Sequence, residues 1–127
     1  MKARVIKRLE SGERVRVKGT APDIRFDVVT RGGKLIASAG LNLTINMIDD
    51  VCTQLEYRRK GYATILFSTI FSLYEGPFHL QVYAVNKNAI DLYTKLGFRI
   101  EEQTHDGLYG MTHFGDYHGL HSRIADC

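Results

Sequence analysis

The sequence predicts a mixed domain of the α/β or α+β class, in which helices cover a mostly antiparallel sheet. Apolar residues recur at every second position through much of residues 15–55, which is typical of strands with one buried face. From Gly61 onward the period becomes that of a helix, and a strand, a second helix and two further strands follow. A chain of 127 residues can bury one core, so we expect a single domain over residues 1–127.

Two strands and a hairpin turn are predicted at the start of the sheet. Residues 15–19 alternate apolar and basic side chains, and residues 24–30 also alternate. Gly32 and Gly33 follow, and a Gly-Gly pair between alternating segments is typical of a hairpin turn. The chain is therefore expected to reverse direction at this pair.

The next segment predicts two more strands. Odd-numbered positions are apolar from 35 to 47, so we expect one long strand that bends at Gly40. The alternation fails at residues 48–50 and resumes at residues 51–55. This interruption predicts a turn or a bulge before a fourth strand.

A helix and a strand are predicted after Gly61. Apolar side chains from Tyr62 to Leu73 recur at helical spacing, and Gly76-Pro77 should end the helix. Residues 78–84 are predicted to form the fifth strand.

A second helix and two closing strands complete the predicted fold. Asn86 is suited to cap the N-terminus of this helix, and Gly97 occupies its C-cap position. Residues 98–103 and 108–114 predict the closing strands, joined by a tight turn. Residues 115–127 show no period and are predicted to form a tail.

Charge and cysteine content bear on the class of protein. The net charge of +3 is small for a dedicated nucleic-acid binder, although the first 18 residues are strongly basic. We expect those cations to lie along a solvated strand edge, and a small nucleic-acid-binding protein is the alternative. Two cysteines, the lack of a signal-peptide pattern and the lack of a membrane-length apolar run predict a cytoplasmic protein. The cations are Lys2, Arg4, Lys7, Arg8, Arg14, Arg16 and Lys18.

A basic turn precedes the first predicted helix. Arg58, Arg59 and Lys60 stand directly before Gly61. The first amides of a helix have no internal partner, and the helix dipole adds partial positive charge at that end. Cations there oppose the dipole unless an anion compensates them, so the turn favours phosphate binding. A basic helix start without a ligand is the alternative.

Two motifs resemble those of a known enzyme family. Arg58, Gly61 and Ala63 form the pattern R-x-x-G-x-A, which resembles the acetyl-CoA signature of the GNAT family of N-acetyltransferases. Residues 86–98, NKNAIDLYTKLGF, resemble the second motif of that family. The order of elements over residues 24–114 is similar too. The resemblance implies the GNAT fold, with acetyl-CoA as the co-substrate.

The resemblance also implies roles for single residues. The fourth predicted strand should splay from the fifth, and its backbone at Val51, Cys52 and Thr53 should bind the pantetheine arm. Asn86 should contact the cofactor near the splay, and Tyr93 should protonate the departing CoA thiolate. A purely structural role for Tyr93, on the apolar helix face, is the alternative. The residues implied to bind the diphosphate, chiefly through their amides, are Arg58, Arg59, Lys60, Gly61, Tyr62, Ala63 and Thr64.

The resemblance does not identify one general base. Gln81 occupies the fifth-strand position at which many family members carry a carboxylate, and an amide cannot accept the proton. Asp50 or its neighbour Asp49 is the candidate, although both also suit a turn. His79, on the same strand as Gln81, is a minor candidate. Cys52 is not expected to be a nucleophile, because a buried strand cysteine is usually inert.

The N-terminal segment is shorter than in the family, which usually places two helices there as one wall of the acceptor site. We expect that site to be open, rebuilt by the tail, or completed by a second subunit in a homodimer. The favoured function is transfer of an acetyl group to a primary amine of a small molecule or protein by direct attack. The alternative is an inactive interaction or inhibitor module. No metal site is expected from His113, Asp116, His118 and His121, whose spacing matches no tight zinc pattern.

Overall fold

The computed structural model describes residues 3–114, and that part of the chain contains eight strands and two α-helices. The predicted mixed class is confirmed, and so is the central order of strand, helix, strand, helix. The predicted tail, with Asp116, His118 and His121, lies outside the described residues. The strands are β1 Arg4–Arg8, β2 Arg14–Thr20, β3 Asp23–Val29, β4 Leu35–Asn42, β5 Met47–Thr53, β6 Phe78–Tyr83, β7 Arg99–Gln103 and β8 Leu108–His113, and the helices are α1 Tyr62–Leu73 and α2 Lys87–Lys95.

The chain groups into two compact units, Met1–Ile70 and Phe71–Cys127. In the first unit β1 to β5 pair in chain order, each antiparallel to the next. The register aligns apolar side chains in rows that cross β2, β3 and β4, and all of them are buried. Burial of a large apolar side chain contributes about 2 kcal/mol, so this face stabilises the unit. The rows are Val15, Val28 and Ala37, and Val17, Phe26 and Ala39.

The opposite face of the same sheet is polar. One row joins Arg16, Asp27, Ser38 and Cys52. Asp27 is buried, and its carboxylate lies 3.6 Å from Arg16 Nη2 and 3.4 Å from Lys18 Nζ. A buried carboxylate requires such partners. A polar face needs no apolar cover, and residues 3–61 contain no α-helix.

The predicted third strand over residues 35–47 is wrong in length. The strand β4 ends at Asn42, and residues 43–46 form a turn before β5. The Asn42 side chain accepts a hydrogen bond from the Thr44 amide at 2.9 Å, and Asn46 has a left-handed backbone with φ 51°. The turn interrupts the strand although its apolar residues continue the alternation, and Ile45 is consequently exposed.

The interruption predicted at residues 48–50 is a bulge within β5. The register slips between Ser38 and Gly40, opposite Asp50, whose φ is 49°. The same pairing places Cys52 opposite Ser38 on the polar face, where it is exposed. The expectation that Cys52 is buried is therefore wrong. The strand β1 was not predicted, because its residues lack a clear alternation of period two.

In the second unit the strands lie in the order β6, β8, β7, and both pairs are antiparallel. The predicted N-cap of α2 is confirmed, whereas the C-cap residue is Leu96, one position before the predicted Gly97. Asn86 Oδ1 accepts a hydrogen bond from the Ala89 amide at 3.2 Å, and Gly97, with φ 103°, follows the C-cap residue. Phe71 stacks on His113 with ring centroids 4.1 Å apart, and both contact Phe98. These rings form part of the core of the unit, together with Phe78, Leu80 and Met111.

Removal of the buried carboxylate tests the polar face of the first unit. We expect Asp27→Asn to lower the free energy of unfolding by about 1–3 kcal/mol, because Arg16 and Lys18 lose a charged partner. Asp23→Asn, at the exposed end of the same strand, is the control and should change it by less than about 0.5 kcal/mol. Chemical denaturation followed by circular dichroism measures both. Equal losses in the two variants would contradict the argument.

Candidate functional site

The basic turn lies between a short 3-10 helix, Leu55–Tyr57, and α1. Arg59 and Gly61 both have left-handed backbones, with φ 64° and 88°. A side chain added at Gly61 would meet no atom within 4 Å, so glycine is needed there for its backbone conformation and not for space. The left-handed conformation of Arg59 is energetically unfavourable for a residue with a side chain, and such residues are concentrated at functional sites.

The amides from Arg59 to Thr64 have no hydrogen-bond acceptor within the described part of the chain. The first main-chain bond of the helix runs from the Ile65 amide to the Gly61 carbonyl, at 3.1 Å. No acidic residue lies in the first turn of α1 to accept from them. The turn therefore presents a consecutive set of unpaired donors at the positive end of a helix dipole.

The three cations of the turn have no carboxylate partner among residues 3–114. Arg58 is held at the end of β5, because its Nε donates to the Thr53 carbonyl at 2.9 Å. Arg59 and Lys60 are exposed. The positive charge of the cations adds to that of the helix end, and an anion bound at the turn would offset both.

A contact that the sequence did not predict fixes the start of α1. The Tyr62 hydroxyl donates a hydrogen bond to Glu13 Oε2 at 2.9 Å. The pKa of the Glu13 carboxyl is lowered, first by a hydrogen bond from Ser11, then by its own backbone amide and then by Tyr62. The bond to Glu13 is also the main reason why the pKa of Tyr62 is raised. No local pattern could have revealed this pair, because the two residues are 49 positions apart.

Val51, Cys52 and Thr53, the residues implied to bind pantetheine, form the last part of β5. Cys52 and Thr53 pair with Ser38 and Ala37 of β4. Cys52 is exposed, and the Thr53 carbonyl accepts the bond from Arg58. The end of this strand and the basic turn are thus linked directly. The predicted splay of the strand stays a prediction.

Tyr93 and Asn86, the other implied site residues, belong to α2 and its cap in the second unit. Tyr93 is buried, and its ring meets that of Phe98 edge-on, with centroids 6.0 Å apart. Burial raises the pKa of the Tyr93 hydroxyl, so it remains protonated at neutral pH. Asn86 uses Oδ1 to cap the helix, its amide donates to the Tyr83 carbonyl and its carbonyl accepts from the Ile90 amide, so its Nδ2 is the group that remains for a ligand.

The candidate bases differ in their surroundings. The Asp50 carboxylate is 79% exposed and lies 3.5 Å from Arg25 Nη1, in an ion pair on the polar face. Asp49 is exposed on the same strand. His79 Nδ1 lies 3.2 Å from Thr112 Oγ1, and Gln81 is exposed on the same strand, β6. The structure therefore singles out no base, and Asp50 stays a prediction.

Neither a metal site nor a membrane-spanning helix is found in residues 3–114. No group of three potential metal ligands occurs there, and His113 is buried against Phe71. None of the helices in this part of the chain has the length and apolar character to cross a membrane.

The acetyltransferase (GNAT) family model matches residues 7–98. Mutant forms of the spermidine/spermine N-acetyltransferase SpeG from Vibrio cholerae are similar in structure, with a TM-score of 0.67, 20% identity and coverage of 80% of this chain and 70% of that chain. The spermidine N-acetyltransferase from Vibrio cholerae in complex with CoA and spermine has a TM-score of 0.65 at 19% identity, with coverage of 76% of this chain and 68% of that chain. The ribosomal-protein-S18-alanine N-acetyltransferase from Escherichia coli has a TM-score of 0.61 at 23% identity, with coverage of 74% of this chain and 68% of that chain. No curated protein matches the chain by sequence.

Loss of the hydrogen bond between Tyr62 and Glu13 should reduce stability in a pH-dependent way. The lowered pKa of Glu13 means that its contribution is present above its ordinary value of 4.5 and is lost as pH falls through the folded value. The raised pKa of Tyr62 means that its contribution is present below 10.0 and is lost as pH rises through the folded value. The free energy of unfolding of wild type should therefore exceed that of Tyr62→Phe most clearly between pH 4.5 and pH 10.0.

Denaturation of both proteins between pH 3 and pH 11 measures this difference, which should stay below about 1 kcal/mol because the pair is largely solvated. Tyr83→Phe, which removes the hydroxyl of an exposed tyrosine, is the matched control. A difference that does not vary with pH would contradict the role of the pair.

Proposed function

The chain belongs to the acetyltransferase (GNAT) family, and we propose that it is an acetyl-CoA-dependent N-acetyltransferase that acts on a primary amine. The observation that carries the proposal is the set of unpaired amides from Arg59 to Thr64, within a basic turn. A diphosphate offers several acceptor oxygens and negative charge in a small volume. It therefore suits the donors, the helix dipole and the cations together.

The amides of Arg59–Thr64 are proposed to hold the diphosphate of CoA. Gly61 allows the left-handed bend of the turn, and Ala63 keeps the neighbouring surface small. The pantetheine arm is proposed to bind along the backbone of Val51, Cys52 and Thr53, as the family resemblance implies. The anchoring of Arg58 on Thr53 supports this arrangement, because it fixes the distance between strand end and turn.

The reaction is proposed to be direct transfer. The neutral amine nitrogen attacks the carbonyl carbon of the thioester, the carbon–sulfur bond breaks, and CoA leaves as a thiolate. Tyr93 donates its hydroxyl proton to that thiolate, and the nitrogen releases a proton to water or to a carboxylate such as Asp50. The Tyr93 hydroxyl carries its proton before the reaction, as the acid must, although burial raises its pKa and so makes the proton harder to give up.

The acceptor is proposed to be a primary amine of a small molecule or of a protein. Two structural neighbours are named for amine acceptors of both kinds, spermidine and a ribosomal-protein alanine. Because residues 3–61 contain no α-helix that could form a wall of the acceptor site, completion of the site by a second subunit is part of the proposal. One neighbour is described as a dodecamer. A cytoplasmic location is proposed with this function, since acetyl-CoA is a soluble cofactor.

Two alternatives are distinguishable. The first alternative is an inactive interaction module. Two observations support it, the lack of an α-helix in residues 3–61 and the presence of Gln81, which cannot act as a base, in β6. A nucleic-acid binder is disfavoured, because Arg16 and Lys18 are paired with Asp27 and Arg14 donates to the carbonyls of Thr30 and Arg31.

Calorimetric titration with acetyl-CoA, together with thiol release in the presence of a panel of amines, tests the function. We expect binding with a dissociation constant between about 1 μM and 1 mM and release with at least one amine. Binding without release would favour the inactive module. No binding at millimolar acetyl-CoA would overturn the proposal.

The role of Tyr93 is tested by Tyr93→Phe. We expect kcat to fall by about 10²-fold, the usual contribution of a general acid, with little change in the dissociation constant of CoA. Tyr83→Phe, at an exposed tyrosine of β6, should leave kcat unchanged. An unchanged kcat in Tyr93→Phe would leave the residue only its structural role on the apolar face of α2.

The role of the turn backbone is tested by a pair of glycines. Gly61→Ala and Gly107→Ala both place a side chain at a positive φ, 88° and 82°, with no atom within 4 Å. Each should therefore lose about 1 kcal/mol of stability through backbone strain alone. Only Gly61→Ala should also weaken CoA binding, by about 10-fold, because it disturbs the amides of the turn. Equal CoA affinities in the two variants would contradict the role of the turn.

A further inference from the structure

Tyr57, at the end of the 3-10 helix, carries two ammonium groups against one ring. Lys34 Nζ lies 5.7 Å from the ring centroid, and Lys60 Nζ lies 6.0 Å from it. Both distances fall within the range of a cation–π contact. A lysine of the hairpin turn between β3 and β4 and a lysine of the basic turn thus converge on one aromatic residue.

The two lysines differ in their partners. Lys34 Nζ lies 2.7 Å from Glu56 Oε1, and the hydrogen bond to Glu56 is the main reason why the pKa of Lys34 is raised. No carboxylate within residues 3–114 pairs with Lys60. The ring of Tyr57 is therefore the only contact recorded for the Lys60 ammonium in this part of the chain, and its charge is not compensated.

The position of the Tyr57 ring is itself fixed. The ring of Tyr62 meets it edge-on, with centroids 6.1 Å apart and an interplanar angle of 86°. Tyr62 is in turn held by its bond to Glu13, and the Tyr57 amide donates to the Gln54 carbonyl at 2.9 Å. The ring contacts the Lys60 ammonium and restricts its side chain, so the ammonium loses less freedom when it binds an anion.

We propose that Lys60, supported by Tyr57 and assisted by Lys34, binds the 3′-phosphate on the adenosine end of CoA. The inference rests on the proposed function. If the amides of Arg59–Thr64 hold the diphosphate, the Lys60 ammonium remains for a second anion of the same ligand. A phosphomonoester carries close to two negative charges at neutral pH, so it gains more from an ammonium than a diester phosphate does. The Glu56 carboxylate repels this anion, and its ion pair with Lys34 weakens the attraction between Lys34 and the phosphate.

The test compares CoA with 3′-dephospho-CoA, which differs only in that phosphate, by calorimetric titration of the full chain at low salt. Wild type should bind CoA about 3- to 10-fold more tightly than dephospho-CoA, with a smaller ratio at high salt. In Lys60→Gln the ratio should fall close to 1. In Glu56→Gln it should rise, because the repelling carboxylate is gone. Lys7→Gln, at an exposed lysine of β1, is the charge-matched control and should leave the ratio unchanged.

Three results would overturn the inference. Equal affinities of wild type for the two ligands would overturn it and leave the proposed function standing, because CoA still binds. A Lys60→Gln variant that weakens both ligands equally would overturn it too, since Lys60 would then act on the diphosphate. No binding of either ligand at millimolar concentration would overturn both the inference and the proposed function.

Discussion

The unpaired start of α1 is the constraint on which the proposed site depends. Consecutive amides there have no acceptor within the described residues, and Arg58, Arg59 and Lys60 add positive charge at the same helix end. Arg59 also holds a left-handed backbone. The cations and the backbone of Arg59 are unfavourable in the free protein, because positive charges oppose the helix dipole and a non-glycine residue is strained in the left-handed conformation. A bound polyanion reverses this balance, since the same groups become its donors and counter-charges.

The surrounding structure holds the turn in this conformation. Arg58 is fixed to the end of β5 through Thr53, and Tyr62 is fixed to the hairpin turn between β1 and β2 through Glu13. The Tyr57 ring contacts Tyr62 and the two lysines. The polar face of the same sheet supplies its own charge pairs around Asp27, so the cations of β2 do not depend on a ligand. We therefore propose an anion for the turn and not for β2.

The sequence predicted those features that depend on neighbouring residues. The start of α1, the Asn86 cap and the closing turn follow from local patterns, and the structure has them at the expected places. The end of β4 was missed, because Leu43 and Ile45 continue an apolar alternation through a turn. The bulge at Asp50 and the exposed side of Cys52 depend on pairing with β4. The contact between Glu13 and Tyr62 joins residues 49 positions apart, and no local signal marks it.

The central claim is that the backbone amides of the turn bind the diphosphate of CoA. Titration of the ¹⁵N-labelled full chain with CoA, followed by amide-resolved NMR, tests it most directly. The amides from Arg59 to Thr64 should shift together, with one common dissociation constant, while those of the turn at Gly107 stay in place. Saturable binding of CoA that leaves the amides of Arg59–Thr64 unshifted would contradict the account.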